Sequence, residues 1–143
     1  MFKYKVIILA FALLVSCSKN PPIMITKLKQ SSQSWDGSKF SYPDKNEEIT
    51  AIKIFLAPNA KLPYHCHPFP TIGFVLSGEV EVEKTNGEKH LFRKGDVVYE
   101  LVNQWHRGRN PSKIKNTEII AFYIGQTKSK NTILFDKNNS QCH

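Results

Sequence analysis

The stretch Pro63-Tyr64-His65-Cys66-His67, answered downstream by Trp105-His106-Arg107-Gly108-Arg109-Asn110, decides how this chain reads. Residues two apart on an extended strand face the same side, so His65 and His67 would stand side by side. A third imidazole from another strand, His106, would complete a three-nitrogen pocket for a transition metal. Only five histidines occur in 143 residues, so composition alone does not supply three of them in this pattern. Alternation aims the thiol of the intervening Cys66 away from that pocket.

Outward from these residues the sequence is a series of short β-rich runs. Ile49 to Leu56 ends at Ala57-Pro58-Asn59, and Ile72 to Leu76 ends at Ser77-Gly78. Glu79 to Lys84 alternates acid and valine, turns at Asn86-Gly87 and returns through His90 to Phe92. Asn-Gly between two such runs is a strong hairpin signal. Asp96 to Val102, Trp105 to Arg109 and Thr117 to Ile124 continue the series, with a weak strand at Thr132 to Phe135. No apolar stripe of helical period persists outside the first twenty residues. The expectation is an all-β fold, an antiparallel sandwich or barrel.

With strands placed, the chain resembles the cupin family. That family's first motif runs His-x-His, then a Glu, then a Gly; here it reads His65, His67, Thr71-Ile72 and Gly78. The second begins Gly-Asp and reaches a His and an Asn, here Gly95, Asp96, His106 and Asn110. The resemblance covers roughly residues 49–125. It implies a cupin double-stranded β-helix, a small antiparallel jelly-roll barrel that is usually dimeric. Two departures stand out. Thr71 replaces the first motif's carboxylate, and Leu101 and Asn103 stand where Pro and Gly precede the second motif's histidine.

Glu100 lies where such barrels carry an apolar residue, and it shares strand parity with Val98. A lone carboxylate facing the interior is costly, so Glu100 would meet the three histidines as a fourth ligand or an acid/base group. Otherwise it sits at a bulge facing water, or pairs with Arg107 or Arg109. Thr71, Gly73 and Val75 share the histidines' parity. Thr71, Gly73 and Asn110 are therefore candidate substrate-pocket residues, Asn110 fixing a ligand or a neighbouring loop. Asp96 is expected to cap backbone amides in its turn, and His90 to be solvated.

The ends of the chain carry a different signal. Lys3 and Lys5, the apolar run Val6 to Val15, and Leu14-Val15-Ser16-Cys17 resemble a bacterial lipoprotein signal peptide. The run is shorter than the ~20 residues of a membrane span. Residues 1–16 would be removed and Cys17 lipidated, 17–34 would be a flexible tether, 35–128 the barrel and 129–143 a tail with a possible last strand. Ser18 fits sorting to the outer membrane, on its periplasmic side. The formal charge of +8 falls to +6 once Lys3 and Lys5 are cleaved. The remaining lysines are scattered, with no recognition motif and no single basic run, which speaks against nucleic acid as a partner. Cys66 and Cys142 remain as a pair in an oxidising compartment, with no spacing rule to join them.

The functional expectation is a lipid-anchored, homodimeric envelope protein holding a divalent transition metal (Fe, Zn, Ni, Mn or Cu). It would act on a small polar molecule by dioxygenase-like or isomerase-like chemistry. The alternatives are a non-catalytic module that binds a metal or small ligand, and a structural protein that kept its histidines without a metal.

Overall fold

A computed structural model describes residues 23–39, 42–137 and 141–142. The expected signal peptide and Cys17 lie outside the described residues. Among those described, nine strands form and no helix: β1 (Glu47–Leu56), β2 (His65–Cys66), β3 (Thr71–Ser77), β4 (Glu79–Lys84), β5 (Lys89–Arg93), β6 (Val97–Tyr99), β7 (His106–Arg109), β8 (Thr117–Gln126) and β9 (Ile133–Leu134). They pair antiparallel into two sheets, ordered β1-β8-β3-β6 and β5-β4-β7-β2-β9.

The period-two pattern of the sequence becomes the inside and outside of this sandwich. Thr71, Gly73 and Val75 face in from β3, Val80 and Val82 from β4, and Ile119 and Ala121 from β8. Leu56, Val75, Val80, Val82, Phe92, Val98 and Ile119 form one buried core between the sheets. At about 25 cal/mol per Å² of apolar surface removed from water, this shared interior is what holds the two sheets together.

Two turns explain why particular residues occupy them. Gly78 has φ +71°, and a Cβ there would lie 2.4 Å from the Asn116 carbonyl oxygen. Only glycine fits that close approach. Asn103 has φ +56°, the left-handed conformation that asparagine tolerates best after glycine. The substitution seen at Asn103 in the second motif therefore keeps the turn it replaces. The Asn86-Gly87 hairpin forms as expected, with Gly87 at φ +88°, and Asp96 accepts from the Arg93 amide at 2.7 Å.

Both ends of the described chain contact the barrel. Ser34 Oγ donates to the Glu100 carbonyl at 2.7 Å, the Trp35 amide donates to Tyr99, and Lys29 Nζ donates to Val97. The segment expected as flexible up to residue 34 thus lies along β6 from Lys29 onward. At the other end β9 pairs with β2, the strand that carries His65. A disulfide joins Cys66 to Cys142 across 76 residues of sequence. The Cys66 thiol is fully buried on the side of β2 away from the imidazoles, as alternation requires.

Candidate metal centre

His65 sits on β2, His67 one residue beyond it and His106 at the start of β7. The strands place His65 directly opposite His106, and the His67 carbonyl accepts from the Asn103 amide. All three rings are buried. Their centroids are 4.7 to 5.2 Å apart, and one ligand nitrogen from each lies within 4.8 Å of the others.

Each ring is oriented by a backbone carbonyl. His65 Nδ1 lies 2.9 Å from the Pro63 oxygen, His67 Nδ1 2.8 Å from Asn131, and His106 Nδ1 2.8 Å from Gln104. A carbonyl only accepts, so each Nδ1 carries the proton and each Nε2 keeps a free lone pair. Burial disfavours the imidazolium. It lowers His65 below its usual range, His67 to about 4 and His106 to about 3, and mutual repulsion among the rings adds to the effect on His67 and His106. At neutral pH the site presents three neutral nitrogen donors. The three histidines are positioned to hold a metal ion.

Glu100 follows β6 and keeps its register, its amide donating to the Thr71 carbonyl at 2.9 Å. The side chain is 20% exposed overall, yet Oε2 is fully buried without a hydrogen-bond partner. That oxygen lies 3.4 Å from His106 Nε2, which also lacks a partner. Because His106 is neutral, the contact is not an ion pair. Desolvation pushes the Glu100 carboxyl up to about 7. The other fates considered for Glu100 do not occur: Arg107 bonds Glu83 at 2.8 Å and Arg109 bonds Glu81 at 2.7 Å. Two adjacent buried lone-pair acceptors, both without a hydrogen-bond partner, fit a shared cation.

A family model described as Cupin domain matches residues 53–123. The chain belongs to the cupin family. No curated protein matches it in sequence, but solved structures do by shape. An uncharacterised Klebsiella pneumoniae protein with a double-stranded β-helix domain aligns at TM-score 0.54 and 20% identity, covering 65% of this chain and 74% of that one. A cupin-like protein from Thermotoga maritima aligns at 0.53 and 20%, covering 68% and 73%. The DMSP lyase DddQ of Ruegeria pomeroyi aligns at 0.52 and 20%, covering 68% of this cupin but only 46% of the lyase. At these identities the likeness is one of fold.

Within the cupin frame, Thr71 occupies the place of the first motif's carboxylate and is buried. Its cross-strand neighbour is Glu100, so the site's carboxylate arrives from the adjacent strand. Thr71 and Gly73 line a cavity of about 250 Å³ with the three histidines and Glu100.

Asn110 does not line that cavity, and its expected place in the pocket is corrected. Its Nδ2 donates to the carbonyls of Leu56, Ala57 and Lys115, and its Oδ1 accepts from the Ser112 amide. It pins the loop between β7 and β8, leaving nothing for a ligand. Three contributors escaped the sequence reading: the Asn131 carbonyl, Thr132 Oγ1 at 3.4 Å from His67 Nδ1, and the Tyr123 ring at 5.5 Å from His67. Tyr123 continues the inward parity of Ile119 and Ala121 and was readable from it. Asn131 and Thr132 lie in a polar tail that carries no such signal.

Proposed function

We propose that this cupin is a lipid-anchored envelope protein whose three histidines bind a divalent transition metal and whose cavity acts on a small molecule. Glu100 serves as fourth ligand or as the acid/base group beside the ion. Bound Fe, Zn, Ni, Mn or Cu would supply Lewis-acid polarisation of a substrate oxygen. His65, His67 and His106 would hold it, each fixed by its backbone carbonyl. Glu100, with a carboxyl near 7, can hold or release a proton at neutral pH. Oxygenation or isomerisation of the substrate is the chemistry this supports.

One observation carries the reading: Glu100 Oε2 and His106 Nε2 are buried, adjacent and unpartnered. A structural role for the histidines alone would leave both atoms costing free energy for nothing. The dimeric state draws support from the outer face of the four-stranded sheet. There Ile49 is 70% and Phe122 41% exposed, and Phe55 is exposed further along β1, beyond the Lys53–Glu118 ion pair. The lipid anchor rests on Leu14-Val15-Ser16-Cys17.

The test is elemental analysis of the full chain against a His65→Ala/His106→Ala double variant. The expected result is about one metal ion per wild-type chain and none in the variant. Equal metal contents would overturn the site. Metal-dependent turnover or oxygen uptake would mark an enzyme, and tight metal binding with neither would mark the binding module.

A further inference from the structure

We infer that the cavity takes a small molecule with one oxygen-bearing polar end and an apolar body, a single ring or a short branched chain. This deepens the proposed function, and only the polar end depends on the metal. The cavity holds about 250 Å³, just below the ~300–1,000 Å³ usual for drug-sized ligands. Its polar groups gather at one end: the three imidazoles, Glu100, Thr71, Thr132 and Tyr123, which lies opposite Thr71 and 5.5 Å from the His67 ring. The remaining wall is hydrocarbon, built from Ile52, Ile54, Leu62, Val80, Val82 and Ile119. A sugar or polyol would shed water from each hydroxyl against that wall with no partner to replace it.

Charge narrows the class further. Among the described residues no lysine or arginine lines the cavity, and Arg107 and Arg109 are held by Glu83 and Glu81. A phosphate or a tricarboxylate would meet no side-chain cation there, so the ligand is uncharged or carries one charge at its polar end. The entrance agrees with the interior. Ile52 and Leu134 both line the cavity while 37% and 61% exposed, so the rim between β1 and β9 is apolar. The small polar substrate expected from the site residues therefore becomes a polar head on an apolar body.

The experiment compares probes on the full chain, with metal content measured in every sample. On metal-loaded protein, benzohydroxamate and acetohydroxamate share a metal-binding head and differ by a ring. Benzohydroxamate should bind at least tenfold more tightly. On metal-free protein, benzyl alcohol should shift valine and isoleucine methyl NMR signals, while mannitol at the same concentration should not. Val82→Thr and Ile119→Thr, two separate variants that keep a β-branched side chain, should each cut the ring preference several-fold at unchanged metal content.

Equal hydroxamate affinities on metal-loaded protein, or mannitol binding as well as benzyl alcohol, would overturn the ligand class while leaving the metal site standing. Benzyl alcohol binding in a chain that takes up no metal would support the class and overturn the metal site.

Discussion

Buried between two sheets, the Glu100 carboxyl and the His106 nitrogen face each other without hydrogen bonds, and the protonation of each follows from that burial. Glu100 is raised from 4.5 to about 7. Its stabilising contribution is therefore fully present below pH 4.5 and is lost as pH rises through about 7. In metal-free protein, Glu100→Gln should raise the melting temperature at pH 8 and leave it nearly unchanged at pH 5. The gain corresponds to at most roughly 3 kcal/mol. With metal present the order should reverse, the glutamine variant holding the ion at least tenfold less tightly if Glu100 is a ligand; calorimetry at both pH values reads both effects. The histidines titrate the other way. With His67 near 4 and His106 near 3, their contribution is present above about 6.5 and lost as pH falls through 4 to 3. Protons should therefore compete little with metal until the pH is well below 6. Glu100 was legible because a charged residue on an inward parity contradicts its surroundings. Of the two roles open to Asn110, the loop and not the ligand is the one it fills, because parity shows which way a side chain points and cannot show which carbonyls wait there.

Among the elements, β2 and β9 are two residues each, too short to be stable by themselves. The tail that follows β8 supplies what they lack. It pairs β9 to β2, offers the Asn131 carbonyl to His67, and ends in the bond from Cys142 to Cys66. The tail thus belongs to the outer support of the metal site. Cys142→Ser, or reduction of the disulfide, should lower stability by about 2–5 kcal/mol. It should also weaken metal binding about 10–100-fold, because the groups that hydrogen-bond a ligating histidine and fix its ring matter by that much. Thermal melts and a metal titration, each with and without reductant, check both. Unchanged metal affinity in the reduced protein would mean that the tail holds its place without the bond. The long strands were readable from alternation, whereas the pairing of β2 with β9 joins distant segments and leaves no local pattern.

For the molecule as a whole, two proposals remain: a dimer through the outer face of β1 and β8, where Ile49, Phe55 and Phe122 are exposed, and a lipid anchor at Cys17. Exposed apolar side chains standing singly are ordinary, whereas a patch buried between two copies would mark an interface. If the proposed dimer forms through this face, Ile49→Lys with Phe122→Lys should convert it to a monomer in sedimentation experiments, with metal content unchanged. A wild-type chain that sediments as a monomer would remove the dimer. Cys17→Ser should abolish incorporation of labelled fatty acid and release the protein from the membrane fraction. Several acyl chains, at about 0.8 kcal/mol per buried methylene, hold a protein firmly where one holds it only marginally.

Read by itself, the chain determined its fold class and which three histidines gather. Strand periodicity, turn residues and the spacing of His65, His67 and His106 are local properties, and local physics writes them into the order of residues. Only the folded molecule decided that Glu100 stands across from Thr71, that Asn110 serves a loop, that Cys66 meets Cys142, and that most of the cavity wall is hydrocarbon. Each of these depends on register between segments far apart in sequence, where burial and hydrogen-bond satisfaction across the whole barrel choose the partner.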